Sequence, residues 1–431
     1  MTQAELDVDA SKFNLPVVKA TEGADGIVVS SLKNDGFVTL DPGFLTTAQC
    51  KSKITFIDGR RSILRYRGYP IEQLCEQSDF LEVAWLLQYG ELPTQAEYDQ
   101  FCLDLNRRTM VGEDFRSFMA SFPRSAQPMS VLASAINALA AFYPDTTDVS
   151  DPEQLDESAR IIMAKARTIV SYIYRRRRDE PMLYPDVARG YIDDFLRMCF
   201  AVPYEPYRSD ELLIHALGRL LIIHADHEQN CSTSVVRIAG SAHANLYSAV
   251  AAGINALSGP RHGGANEAVL KQLEAIRDSD ESVSQFVENA KANNVRISGL
   301  GHRVYKCHDP RAMVAKQYLE ELMARGDVDS HLPADERALF AIAKELEDIA
   351  LHDEYFVSRN LYPNVDFYTG LLYQIIGFDA AMFTPLFALG RIPGWIAQYR
   401  EMLDDPETKI GRPRQVYIGP AAREYVPIDQ R

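Results

Sequence analysis

The feature that most constrains this chain is a change of texture near residue 75. Before it, Phe37–Leu40, Lys53–Ile57 and Ile63–Tyr66 are short β-prone runs. The last two are separated by Asp58-Gly59, a hairpin-like turn signal. The small β unit they predict ends near Gly68-Tyr69-Pro70, and residues 1 to about 35, without clear periodicity, read as an arm or irregular lead-in. After it the period is helical. Asp79 and Glu82 are spaced as a capping box, Val83, Leu86 and Leu87 share one face, and Gly90 closes the helix. Met129–Tyr143 is apolar and stopped by Pro144; Leu212–Ile223 is apolar almost all round and so predicted to be central. Further helices are expected over Ala244–Leu257, Ala265–Ile276, Arg311–Arg325, Ala334–Leu351 and Asp379–Arg400. The class is mainly α with a small N-terminal β unit.

Composition narrows the partners. The chain has 431 residues, 46% hydrophobic and 24% charged, enough for two or three packed units. A formal charge of −15 opposes nucleic acid and anionic membrane as main partners, so an anionic substrate needs a local arginine cluster. Cys50, Cys75, Cys102, Cys199, Cys231 and Cys307 show no CxxC spacing, which points away from a zinc ribbon or disulfide framework and toward a reducing cytoplasm. The start, MTQAELDVDASKF, lacks the pattern of a signal peptide, and no run of 18 apolar residues is present to span a bilayer. Arg175–Arg178 follows an apolar helix and precedes Asp179-Glu180, and reads as a solvated helix end.

The chemistry gathers between residues 224 and 412. In GLGHRVYKCHDPR, Gly299–Arg311, a histidine sits in a glycine-hinged turn and Arg311 follows an Asp309 N-cap and Pro310. An anion there would meet both a guanidinium and free helix N–H groups. His224 and His227, three residues apart, fit either a shared metal or hydrogen-bonding histidines at a helix end, with Asn230 and Ser232 as partners. Neither metallopeptidase histidine order is present, which favours the second. His262, in Gly259–Gly264, lies among residues that cannot continue a helix and reads either as exposed to a cleft or as a turn histidine facing water. GLGHRV lacks the third glycine of a dinucleotide fingerprint. Asp366, flanked by aromatic residues where a loop enters a helix, suits either an N-cap or a general base of raised proton affinity.

Taken together, HADHEQN, GPRHGGAN, GLGHRVYKCHDPR, YPNVDFYTG and KIGRPRQ, in this order, resemble the citrate synthase family in its longer bacterial form, over about residues 36 to 427. The resemblance implies a two-domain helical fold: residues 1–75 an arm and small β unit, 76–264 and 377–431 a large helical domain, 265–376 a small one. It also implies condensation of acetyl-CoA with oxaloacetate and water, with no metal and no cofactor, acetyl-CoA being a substrate. Asp366 would be the base, His262 the donor that stabilises the enolate, and His302 the acid on the oxaloacetate carbonyl. His227, Arg311, Arg391 and a neighbouring subunit's Arg412 would hold substrate carboxylates. Ser232 would orient His262, and Lys306 and Asn364 would contact CoA. A homo-oligomer follows, with a dimer as minimal unit and a hexamer as the larger alternative, located in the cytoplasm without nucleic acid or membrane. Three alternatives stay open: a 2-methylcitrate synthase using propionyl-CoA, differing by one methylene of room; a non-catalytic helical binding protein; and a metalloenzyme on His224 and His227.

Overall fold

The computed structural model describes residues 2–8, 11–325 and 334–431. The chain divides into two compact units, Met1–Lys51 with Gly411–Arg431, and Ser52–Ile410. The breaks expected at residues 75/76, 264/265 and 376/377 fall inside the second unit, and residues 326–333 of the 265–376 segment lie outside the described residues.

In the first unit the expected irregular lead-in is instead a sheet. Strands β1 (Gln3–Val8), β2 (Ser11–Val18) and β3 (Gly26–Ile27) pair antiparallel in the order β1-β2-β3. Phe13, Leu15 and Val17 alternate along β2, and Leu6 and Ala4 stand opposite Phe13 and Leu15. Polar residues between them and Pro16, which has no N–H to donate, hide this period in the sequence. Phe37–Leu40, expected as a strand, is not one. Gly36, at φ 84°, ends the 3-10 turn Ser30–Asp35 and turns the chain back, so that Phe37 stands edge-on to Phe13 with centroids 5.8 Å apart.

The second unit opens with the expected hairpin. Strands β4 (Thr55–Asp58) and β5 (Ile63–Tyr66) pair from Thr55↔Tyr66 to Asp58↔Ile63, and β6 (Tyr69–Pro70) adds to β5. Helices make up the regular structure from there on, among the described residues. Asp79 caps Phe80–Tyr89 by accepting from Glu82 N at 2.9 Å, and Gly90 closes it with φ 97°. The reciprocal half of the box is missing because the Glu82 carboxylate takes the Ser78 hydroxyl, at 2.6 Å. The helices expected from residues 129, 212, 244, 265, 311 and 334 appear as Pro128–Phe142, Glu211–His224, Leu246–Leu257, Ala265–Arg277, Pro310–Met323 and Ala334–His352. The last predicted helix is split into a 3-10 turn, Ala380–Met382, and Phe383–Asp404. Arg175 corrects the solvated-end reading: it is buried, donating to the carbonyls of Pro181, Cys199 and Ala201.

The core centres on Phe383–Asp404, with Trp395 and Tyr399 fully buried. Gly390 and Gly394 let this helix lie directly on the end of Glu211–His224. A Cβ at Gly390 would come 2.9 Å from Leu221 O, and one at Gly394 would overlap the Ala225 carbonyl. That close approach sets Arg391, between the two glycines, under the turn that begins at His224. Among the described residues no single helix is long and apolar enough to cross a membrane. Gly394→Ala is expected to destabilise the fold by about 1–3 kcal/mol through overpacking, read as a lower urea midpoint with unchanged slope. An unchanged midpoint would show that the contact yields without cost.

Candidate active site

The turn after Glu211–His224 supplies the first wall. His224 is fully buried, its ring 4.3 Å from that of Phe387, and neither ring nitrogen has a partner among the described residues. Asp226, also buried, accepts through Oδ2 from Thr55 Oγ1 at 2.6 Å and Glu228 N at 3.1 Å. His227 Nε2 lies 3.2 Å from Tyr305 OH. The partners expected for these histidines are therefore corrected: Tyr305, far along the chain, takes His227, while Ser232 serves another ring. Burial, with Arg311 and Arg391 close by, holds both histidines well below the usual imidazole range.

That other ring is His262, in the turn between Leu246–Leu257 and Ala265–Arg277. Its Nε2 is 3.3 Å from Ser232 N and 2.9 Å from Ser232 Oγ. A backbone N–H can only donate, so Nε2 is the acceptor and the ring proton sits on Nδ1. The Ser232 hydroxyl accepts from Trp395 Nε1 at 3.3 Å and has one proton to share between Nε2 and Asn230 Oδ1, the latter at 2.8 Å. Burial lowers the His262 pKa to about 4, so the ring is neutral near pH 7.

The loop before Pro310–Met323 carries the second ring. Gly299 (φ 82°) and Gly301 (φ 76°) are left-handed, and a Cβ at either would meet Phe367 or Leu361 side-chain atoms closer than 3.0 Å. His302 Nδ1 accepts from Val304 N at 3.0 Å and Tyr305 N at 3.2 Å. Its proton is therefore on Nε2, the opposite tautomer to His262. Burial and the Arg311 charge lower its pKa to about 4. Arg311 Nη2 stands 3.5 Å from this Nε2. Two donors at that spacing converge on a shared acceptor.

Asp309 refines the expected anion site. Its Oδ1 takes Arg311 N at 3.0 Å and Nε at 3.1 Å, and its Oδ2 takes Arg311 Nη2 at 2.9 Å and Val365 N at 3.3 Å. The helix N–H expected to be free is thus capped internally, and only the outer edge of the Arg311 guanidinium faces elsewhere. The same carboxylate holds Arg311 charged, against burial.

Asp366 is not the N-cap. Asn364 is: its Oδ1 accepts from Asp366 N at 3.0 Å, while its Nδ2 donates to Gly301 O at 2.9 Å, lacing this helix start to the His302 loop. Asp366 is left in the first turn of Val365–Ile376, where burial outweighs the helix dipole and the nearby Arg311 and lifts its pKa to about 6. Arg391 is 1% exposed, donates through Nε to His224 O, lies 4.9 Å from the Phe387 ring centre, and leaves Nη1 without a partner among the described residues. Burial lowers its pKa to about 10, so it stays charged at neutral pH.

Phe387 thus gathers His224, His262 with its partner Ser232, and Arg391, while Tyr305 and Asp309 gather His227, His302, Arg311 and, through Val365 N, the helix start that holds Asn364 and Asp366. Lys306 is exposed on the rim, its Nζ 3.2 Å from Arg303 O. Arg412 is exposed in the first unit. Tyr305, Phe387, Trp395 and the Asp309 fork escaped the sequence reading; only the Asp-x-Arg spacing of the fork signals itself. Among the described residues no group of three His, Cys, Asp or Glu side chains is placed to hold a metal ion.

Comparison with known proteins agrees along the whole chain. The family model described as citrate synthase, C-terminal domain, matches residues 43–414. Citrate synthase 1 of Mycobacterium tuberculosis is 51% identical over 432 residues, covering 99% of this chain and 98% of that protein. Citrate synthase of Corynebacterium glutamicum is 47% identical over 433 residues, covering 100% and 97%. Among solved structures, a ternary complex of Thermoplasma acidophilum citrate synthase with carboxymethyl coenzyme A and oxaloacetate superposes with TM-score 0.82 at 30% identity, covering 91% of this chain and 100% of that one. Citrate synthase of Pyrobaculum aerophilum gives 0.80 at 32%, covering 96% and 98%.

The raised pKa of Asp366 makes it a measurable cost. The folded state holds this proton up to about pH 6, whereas the unfolded chain loses it near 3.8, so folding stability falls as pH rises between those values and stays lower above them. Asp366→Asn is therefore expected to raise stability at pH 8 by about 1–3 kcal/mol, with no gain below about pH 4, measured by urea unfolding at both. Equal stabilities at pH 8 would contradict the burial argument.

Proposed function

The chain belongs to the citrate synthase family, and from that premise we propose that it condenses acetyl-CoA with oxaloacetate and water to give citrate and CoA, as an acyl-CoA:oxaloacetate C-acyltransferase of the (Si) type. The observation that carries the reading is the opposed tautomers of two neutral histidines, each fixed by backbone N–H groups. Asp366 takes a proton from the acetyl methyl group while His262 Nδ1–H donates to the thioester oxygen. Neither suffices alone, because so weak a carbon acid yields its proton only when the developing oxyanion is received elsewhere. His302 Nε2–H donates to the oxaloacetate carbonyl as the new carbon–carbon bond forms, and the outer edge of Arg311 supports the same oxygen or its neighbouring carboxylate. Arg391 Nη1 and His227 hold the substrate's carboxylates, and water then cleaves the thioester to release CoA.

Lys306 on the rim suits a CoA phosphate, with Asn364 shaping the loop below it. No metal or cofactor enters these steps. Gly411–Arg431 exposes Ile418 at 92% and Ile428 at 80%, an apolar arm of the kind a second copy covers. We assign Arg412 on this arm to a partner subunit's site, with the dimer as working unit, a hexamer as its larger form, and the cytoplasm as its place.

The deciding assay is thiol release from acetyl-CoA and from propionyl-CoA with oxaloacetate present. Preference for acetyl-CoA is expected; preference for propionyl-CoA would move the chain to 2-methylcitrate formation with the same residues, and release from neither would overturn the reading. Asp366→Asn is expected to cut kcat at least about 100-fold while oxaloacetate binding persists. In the wild type, kcat/KM for acetyl-CoA is expected to rise with pH through about 6 as Asp366 loses its proton. A fully active monomer, identified by ultracentrifugation under assay conditions, would refute the role of Arg412.

A further inference from the structure

The β4–β5 hairpin touches both histidine walls of the site. On its body, Thr55 Oγ1 donates to Asp226 Oδ2 at 2.6 Å, and Tyr66 OH donates to Asp226 O at 2.9 Å and accepts from Asp226 N at 3.2 Å. Its tip, Gly59–Ser62, grips the loop that carries His302. Lys306 N donates to Gly59 O at 2.8 Å, the Ser62 hydroxyl donates to His308 O, and Cys307 Sγ lies 3.4 Å from Arg60 O. Asp58 Oδ1 holds the tip in shape by accepting from Arg60 N at 3.0 Å and Arg61 N at 3.1 Å.

Gly59 is the tightest point of this grip. Its φ is outside the left-handed region, so space rather than a positive φ sets the constraint: a Cβ there would overlap the carbonyl of Val304 and come 3.1 Å from Val304 Cγ1. That carbonyl belongs to the Val304–Tyr305 peptide, whose N–H donates to His302 Nδ1 at 3.2 Å. A peptide is planar, so displacing its oxygen rotates its N–H as well.

We propose that Gly59 is a positioning residue for His302: by leaving room for the Val304–Tyr305 peptide it keeps the second of two N–H groups on Nδ1, beside Val304 N, and so holds the ring and its Nε2–H in place. The catalytic consequence rests on the reading of His302 Nε2–H as donor to the oxaloacetate carbonyl. The structural consequence does not.

The test is Gly59→Ala in the full chain, with selectively 15N-labelled histidine and His302 identified by difference against His302→Gln. The wild-type ring is expected to show a single Nε2–H tautomer; in Gly59→Ala the His302 Nδ1 resonance is expected to move as one of its two donors is lost, with Val304 N still holding the tautomer and His262 unchanged. At saturating substrates kcat is expected to fall about 10- to 100-fold, with KM for acetyl-CoA within about 2-fold, the split expected of a displaced donor. Ser62→Ala, which loosens the same grip without adding volume, is expected to shift the His302 resonances less and the His262 resonances not at all; it decides the matter should Gly59→Ala not fold. A folded Gly59→Ala with the wild-type His302 ring-nitrogen resonances, or equal disturbance of His262 and His302, would overturn the proposal. Absence of thiol release in the wild type would refute the proposed reaction and leave the His302 resonances to judge Gly59 by themselves.

Discussion

Asp309 is the carboxylate on which the arrangement of the site depends. It is 1% exposed and accepts from three directions: the N–H that opens Pro310–Met323, the Arg311 guanidinium, and the N–H of Val365. The His302 loop, the arginine and the helix start that bears Asp366 are therefore registered on one pair of oxygens. A buried ion pair is weak as a source of net stability, since desolving both charges cancels most of their attraction. Its value here is geometric. Removing either partner strands the other charge, at about 3–5 kcal/mol, so the three pieces cannot drift apart separately.

The same low-dielectric interior explains why the ionisable groups stand where they do. Burial pushes His262 and His302 to about 4 and Asp366 up to about 6, in each case toward the neutral form. Two guanidinium groups resist that pressure: Arg311 through Asp309, and Arg391 because even at about 10 it remains protonated. A pocket with neutral imidazole donors and fixed cations accepts an anion without first losing protons. Asp366 is the exception: to serve as the proposed base it must ionise, and a helix N-terminus and nearby guanidinium groups keep that cost to about two pH units rather than more.

What the sequence reveals and conceals divides by distance along the chain. Asp79, Gly90 and Pro310 signal helix ends because caps are decided within a few residues. His262 and His302 stand out because glycine and proline around them forbid a continuing helix. The roles that depend on partners far away are not legible. Tyr305 reaches back to His227, Trp395 reaches Ser232, and Arg175 bonds the carbonyls of later loops. Even Asp366 misleads locally: aspartate at a helix start usually caps, and only Asn364, two residues earlier and tied to Gly301, shows that this one is spare.

The orphan atoms complete the argument. His224 Nδ1 and Nε2, Asp226 Oδ1 and Arg391 Nη1 are buried without partners among the described residues, all within the one turn and the helix packed beneath it. Each such atom costs roughly 1–3 kcal/mol when left unpaired, so four together make this turn locally costly to hold. The mixture is informative. Arg391 Nη1 is the one cationic donor among them, and the nearby Asp226, held through Thr55 and Tyr66, favours its charge electrostatically. In the proposed reaction a substrate carboxylate on Arg391 would recover part of that cost, and the gain is a free energy with which the ligand can order the loops around it.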